Sequence, residues 1–203
     1  MKELEFTDSL TKEIVDSGYV LAIPTETVYG LGIRWDSSIA YDRLCNAKNR
    51  RPSKPIAVMC GDKIDLNEWF DITIGIKRVI DKFLPGPLTI LLKANKKVPF
   101  QAHLGTGVVG LRIPAKKELL DFLNGLSYPL QVTSANISGQ PSISDYELVK
   151  QVFVLNHDVQ GIVKGTCVSS IPTTVIDLTG EKPVLVRQGE IKLEDVEKVF
   201  LGE

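Results

Sequence analysis

The sequence predicts an α/β domain, a twisted, open, mixed sheet with flanking helices packed on it. Three observations carry this expectation. Apolar runs of strand length alternate with stretches of helical period along the chain. No internal repeat or low-complexity linker divides it. With 203 residues, 43% of them hydrophobic and 24% charged, the chain can bury one substantial core, so residues 1–203 are expected to form a single domain.

The elements follow in order. "TDSLTKEIVDSG" offers Thr7 as an N-cap, apolar residues at Leu10, Ile14 and Val15, and Gly18 as a stop, which together read as a first helix. "YVLAIPT" is a short buried strand, "SSIAYDRLCNAK" a second helix, and "PIAVMC" a strand bounded by Pro55 and Gly61. Helical stretches follow at "DLNEWF" and "IGIKRVIDKF". No helix crosses the Pro-Gly-Pro break, so "PGPLTILLK" restarts as a strand. "GVVGLRIP" is a strand, "KKELLDFLNG" a helix stopped by Gly125, and "PLQVT" a strand. "TTVIDL" and "PVLVR", joined by "TGEKP", form two adjacent strands, and "KLEDVEKVF" is a closing amphipathic helix.

Composition excludes several classes of function. A formal charge of -1 argues against nucleic-acid binding through overall basicity. Cys45, Cys60 and Cys167 are far apart and only two histidines, His103 and His157, accompany them, so neither a metal cluster nor a disulfide framework is expected. The N-terminus "MKELEFTDSL" is charged, and no segment approaches the roughly 20 apolar residues that span a bilayer. A soluble protein of the reducing cytoplasm, without membrane contact, is the expectation. Neither G-x-x-x-x-G-K-[ST] nor a G-x-G-x-x-G after a strand is present, so side chains must do most of any nucleotide binding.

Four segments are candidates for chemistry. In "RLCNAKNRRPSKP", Arg43, Lys48, Arg50, Arg51 and Lys54 gather with no acid until Asp62, and Pro52 and Pro55 stiffen the loop. A polyanion such as a triphosphate or an RNA backbone would suit it, and a solvated surface loop would explain it equally well. Arg112 in "GVVGLRIP" is out of place in a buried sheet, because an unpaired buried charge is costly. It lies either in water on an edge strand or as a fork gripping a carboxylate or phosphate. "IPTETVYGLG" places Thr25, Thr27, Tyr29, Gly30 and Gly32 after a buried strand, where α/β sheets carry ligand loops; a turn with one exposed acid, Glu26, is the alternative. "VTSANISGQP", residues 132–141, is either a turn or the polar end of a ligand site.

Taken together, "IPTETVYGLG", the K-x-R of "AKNRRPSKP", "PGPLTILL", "GLRIP", the S-x-N of "TSANISGQP" and "TTVIDL…VLVRQG" resemble the YrdC family in order and spacing, from about Gly18 to Gly189. Within that family it looks like the single-domain, TsaC type. The resemblance implies a sheet enclosing a concave cavity, similar to that of dihydroxybutanone-phosphate synthase. It also implies a nucleotidyltransferase that joins L-threonine, bicarbonate or CO2, and ATP with Mg2+ into threonylcarbamoyl-AMP and pyrophosphate. A partner complex would then transfer the threonylcarbamoyl group to tRNA. Carried over by position, Lys48, Arg50, Ser134 and Asn136 are the catalytic set. Lys48, Arg50, Lys54, Asn136, Ser144 and Arg187 are expected at ATP, and Thr25, Thr27, Arg112, Ser134 and Thr173 at threonine. No protein metal site is implied, since Mg2+ would bind chiefly through phosphate oxygens.

The resemblance breaks at Lys54, where many relatives carry Asn, and at Met59, where they carry a histidine. Two other readings stay open: a module binding tRNA or double-stranded RNA through the cationic loop, and a carbamoyl-adenylating paralogue with another acceptor.

Overall fold

The computed structural model describes residues 1–51, 55–169 and 171–203. Its elements run β1 (Lys2–Leu4), α1 (Ser9–Asp16), β2 (Val20–Pro24), β3 (Tyr29–Arg34), α2 (Ser38–Lys48), β4 (Val58–Met59), α3 (Ile74–Phe83), β5 (Leu88–Lys93) and α4 (Phe100–His103). Then follow β6 (Val108–Arg112), α5 (Lys117–Asn124), β7 (Leu130–Ser134), α6 (Tyr146–Phe153), β8 (Val159–Val163), β9 (Thr174–Asp177), β10 (Val184–Arg187) and α7 (Leu193–Leu201). The strands form one mixed sheet in the order β1-β8-β2-β3-β7-β4-β6-β5-β9-β10. Pairing is parallel at β1/β8, β2/β8, β4/β6 and β5/β9, and antiparallel elsewhere.

The period of two along each strand decides what lies on each face. In β2, Leu21 and Ile23 join a core built with Ile14 and Val15 of α1, Val79 of α3, Leu119 of α5 and Val196 of α7. Val20 and Ala22 point the other way, into a second core with Leu44 of α2 and Phe153 of α6. Farther along the sheet the alternation continues with a different result. Ile90 and Leu92 of β5, with Val109 and Leu111 of β6, belong to the first core, whereas Thr89, Leu91, Gly110 and Arg112 line a cavity. Helices cover one half of the sheet on both faces, and on the other half one face lines the cavity.

Several elements differ from expectation. The N-cap of α1 is Asp8, not Thr7, because Asp8 Oδ2 accepts the Glu5 amide at 2.7 Å and closes the preceding turn. Gly18, at a φ of 72°, ends that helix as expected. "DLNEWF" makes only one 3₁₀ turn, Leu66–Glu68, because the Asp65 side chain caps Asn67 locally and no apolar face extends it. "PIAVMC" shortens to the two residues of β4. The stretch after Val28, read as loop, is β3, and β1, α4, α6 and β8 had no forecast.

Candidate functional site

A cavity of about 480 Å³ opens on the uncovered face of β4, β6, β5, β9 and β10, with the β2–β3 loop and the end of β7 as its other walls. Sheet register assembles it. Met59 of β4 is the partner of Arg112 of β6, and Val175 of β9 pairs with Thr89 of β5 on one side and Arg187 of β10 on the other. Residues in register share a face, so these two rows send two arginines, a threonine, a valine and a methionine into the same space.

Arg112 lies on an interior strand and is 8% exposed, which removes the edge-strand reading. Its Nη2 meets Glu26 Oε1 at 2.8 Å and donates to Thr27 Oγ1 at 3.2 Å. Glu26 is therefore the counter-ion of Arg112 and not an exposed turn acid. The two threonines are fixed in turn: the Thr25 hydroxyl donates to the Val28 carbonyl at 2.7 Å and accepts the Thr27 amide at 3.1 Å, which orients the β2–β3 loop. Gly30 lies in β3, and a Cβ there would come 2.6 Å from Val132 Cγ1, so its role is close packing of β3 beneath the cavity wall.

Arg187 comes from the last strand and is held by Thr173, whose carbonyl accepts from Nε at 3.0 Å and from Nη2 at 2.9 Å, while its hydroxyl accepts from Nη2 at 3.0 Å. The Thr173 hydroxyl also lies 3.0 Å from that of Thr89. Partial burial and the neighbouring Arg112 charge hold the Arg187 pKa below the usual arginine value. Two guanidinium groups facing one cavity repel each other, and an anion between them relieves that repulsion.

The K-x-R pair separates into two layers. Lys48 is the last residue of α2, and Asn49 adopts a left-handed φ of 51°, turning the chain so that Arg50 reaches the cavity while Lys48 stays behind its wall. Lys48 is 2% exposed, and its Nζ donates to the carbonyl oxygens of Ser134 and Asn136 and to Asn136 Oδ1. Asn136 Oδ1 also accepts the Ser134 hydroxyl at 2.6 Å, and Asn136 Nδ2 donates to the carbonyls of Ile137 and Gln140. The segment "SANISGQ" is a loop braced by a buried ammonium, with Ser134 on the cavity wall and Asn136 just behind it.

The structure thus brings Arg50, Ser134, Thr25, Thr27, Arg112, Thr173 and Arg187 to one cavity and sets Lys48 and Asn136 one layer back. Ser144 is outside the lining, where Ser142 stands instead, and Lys54 lies outside the described residues. Thr89 and Glu26 were not foreseen as site residues. Alternation along "PLTILLK" was the available signal for Thr89, and for Glu26 the signal was that a buried arginine needs a nearby carboxylate. Among the described residues the cations of this loop do not form one surface patch. Arg43 stacks 3.8 Å over the Tyr19 ring and donates to the Ser17 and Gly18 carbonyls, Lys48 is buried, and Arg50 faces the cavity. Among the described residues no group of three or more His, Cys, Asp or Glu side chains could hold a metal ion, and no helix is long and apolar enough to cross a membrane.

Residues 13–189 match the Sua5/YciO/YrdC family model, described as "Telomere recombination". The chain belongs to the Sua5/YciO/YrdC family. A relative of this family from Methanocaldococcus jannaschii is 34% identical over 199 residues, which cover 95% of this chain and 88% of the relative. The threonylcarbamoyl-AMP synthase of Pyrococcus abyssi is 34% identical over 191 residues, 93% of this chain and 55% of its own length. The structure of P. abyssi Sua5 complexed with L-threonine superposes with a TM-score of 0.85 at 32% identity, over 94% of this chain and 56% of that one. Escherichia coli YciO gives a TM-score of 0.80 at 30% identity, over 90% of this chain and 88% of that one. The chain spans just over half the length of the P. abyssi member and most of the shorter members of the Sua5/YciO/YrdC family.

Proposed function

We propose that this chain is a threonylcarbamoyl-AMP synthase, an adenylyl-transferring enzyme that uses L-threonine, bicarbonate or CO2, and ATP. One observation carries the reading: Arg50, Arg112 and Arg187 converge with threonine and serine hydroxyls on a single cavity, in a family whose P. abyssi member bears that name and binds L-threonine.

The neutral threonine amine adds to CO2 and releases a proton to solvent, giving a carbamate. A carbamate oxygen then attacks the α-phosphorus of ATP, the bond to the bridging oxygen breaks, and pyrophosphate leaves. The reaction asks for aligned reactants and neutralised charge more than for an activated protein nucleophile. In this reading Arg112, with Thr25, Thr27 and Thr173, holds the threonine carboxylate. Arg50 and Arg187 neutralise the phosphates, and Ser134 sits between the carbamate and the nucleotide. Lys48 and Asn136 act through Ser134 by bracing its loop. Lys54 is the remaining expected nucleotide contact, and Ser144, outside the cavity lining, is assigned none. Mg2+ would enter with ATP on its phosphate oxygens, since the cavity lining has no Asp or Glu among the described residues and Glu26 behind it is engaged by Arg112. The product is a reactive mixed anhydride suited to transfer by a partner complex onto tRNA in the cytoplasm.

Met59 favours a second reading, a paralogue with another amine substrate. It lies in register beside Arg112 and offers a thioether, not a donor, to a substrate side chain. Pyrophosphate release from ATP with Mg2+ and bicarbonate, with and without L-threonine and with serine, glycine and valine alongside, tests both. Release that requires threonine and bicarbonate supports the synthase; release only with another amino acid supports the paralogue; none with any of them overturns both.

A further inference from the structure

Glu26 does not line the cavity; it stands behind Arg112. Its Oε1 takes the Arg112 Nη2 contact at 2.8 Å and also accepts the Ala115 amide at 3.3 Å, while its backbone carbonyl accepts the Ser169 amide at 3.1 Å. The side chains of Arg112 and Glu26 are 10% and 14% exposed. Glu26 Oε2 and Arg112 Nε are buried and have no hydrogen-bond partner among the described residues. An ion pair with two unserved polar atoms is a poor source of stability. It is a good way to fix orientation, because a guanidinium recognises a carboxylate in two places only when its plane is held.

We propose that Glu26 is a positioning residue for the carboxylate-binding site: by holding Arg112 Nη2 from behind, through an oxygen itself anchored to the segment after β6, it fixes the guanidinium plane and keeps Nη1 presented to the amino-acid substrate. This rests on the reading of Arg112 as the carboxylate site. Orientation and charge can be separated, because the carbonyl oxygen of a Gln at this position can accept from both Arg112 and Ala115 without carrying a charge.

The test compares Glu26→Ala and Glu26→Gln in full kinetics, with Glu26→Met replacing Glu26→Ala should that variant not fold. Losing a charged hydrogen bond that orients the fork is expected to raise the threonine KM of Glu26→Ala about tenfold. Its ATP KM should stay near the wild-type value, and Glu26→Gln should restore most of the threonine KM. An unchanged threonine KM in Glu26→Ala, or equal damage from Ala and Gln, overturns the proposal. Rotation of the Arg112 guanidinium, followed by nitrogen-15 NMR on the ligand-free protein, provides a readout that needs no activity. It should be slow in wild type and Glu26→Gln and fast in Glu26→Ala; equal rates in all three overturn the proposal even where the wild type is inactive with threonine. Wild-type inactivity with threonine alongside slow, Glu26-dependent rotation overturns the functional reading and leaves the positioning role standing.

Discussion

Lys48 donates to the carbonyl oxygen of Asn136 at 2.7 Å and to its side-chain oxygen at 3.0 Å, so one buried ammonium fixes both the backbone and the amide of the same residue. A third bond goes to the Ser134 carbonyl. Removing the donor strands the buried Asn136 carbonyl, while Asn136 Oδ1 keeps the Ser134 hydroxyl and the Ser134 carbonyl keeps the Asn136 amide. Lys48→Met is expected to destabilise the fold by about 1–3 kcal/mol, the scale for stranding one buried acceptor. It should also abolish threonine-dependent pyrophosphate release in protein that is still folded. Urea denaturation and the release assay check both parts; a variant with wild-type turnover would show that the brace is not needed.

The same lysine predicts an alkaline limb. Burial, assisted by the Arg50 charge, brings its pKa down to about 8 from the ordinary 10.5. A neutral amine has two protons for three acceptors, so activity should fall as pH rises through about 8. The stability term has the opposite sign. Between pH 8 and 10.5 the unfolded chain holds the Lys48 proton that the folded chain has released, so the contribution of this group to stability grows with pH. A drop in rate from pH 7.5 to 9 with unchanged far-UV circular dichroism is the expected outcome. A rate that falls only when the dichroic signal is lost would assign the limb to unfolding.

The legible parts of the sequence were those in which one physical rule acts alone. The helix of α2 was readable from its period, with Ser37 capping Ala40 at its start. The β9–β10 pair was readable from the turn residues between two β-branched runs. The cavity residues Arg112, Ser134 and Thr173 came through resemblance, reinforced in the case of Arg112 by the oddity of a cation in an apolar strand. What escaped depends on contacts distant in sequence. β1 is three residues long and exists because β8, more than 150 residues later, pairs with it. The separation of Lys48 from Arg50 turns on a left-handed Asn49, which no charge pattern announces. Glu26 seemed a turn acid because its partner is 86 residues away.

Gly189 is a prediction about packing against backbone. A Cβ at this position would lie 2.3 Å from the Thr174 nitrogen, 2.5 Å from the Pro172 carbonyl oxygen and 2.6 Å from the Thr173 carbonyl carbon. None of these can rotate away as a side chain would. Gly189→Ala must therefore shift the segment that presents Thr173 to the cavity and to Arg187. The expected cost is about 1–3 kcal/mol of stability, as for other overpacked sites. A weaker apparent affinity for threonine should accompany it. Thermal denaturation together with the threonine KM decides the matter, and a variant matching wild type in both would mean that the strand end yields freely.

The three cysteines allow a last prediction that needs no substrate. Cys45 and Cys60 are buried, Cys167 is partly so, and none is in a disulfide. Burial, with a small contribution from Asp62, pushes the Cys60 thiol up to about 12, and desolvation also raises Cys45 and Cys167. The thiolate is the reactive form, so all three should label slowly with an aromatic disulfide reagent at pH 8, Cys60 slowest of all. Denaturant should release three fast-reacting thiols. In stability terms, the folded chain keeps the Cys60 proton that the unfolded chain gives up near pH 9, so this group's contribution falls as pH rises above 9 and is progressively lost toward 12. Rapid native-state labelling of Cys60, located by peptide mapping, would mean that the segment after β4 opens to solvent, and with it the wall that carries Met59 into the cavity.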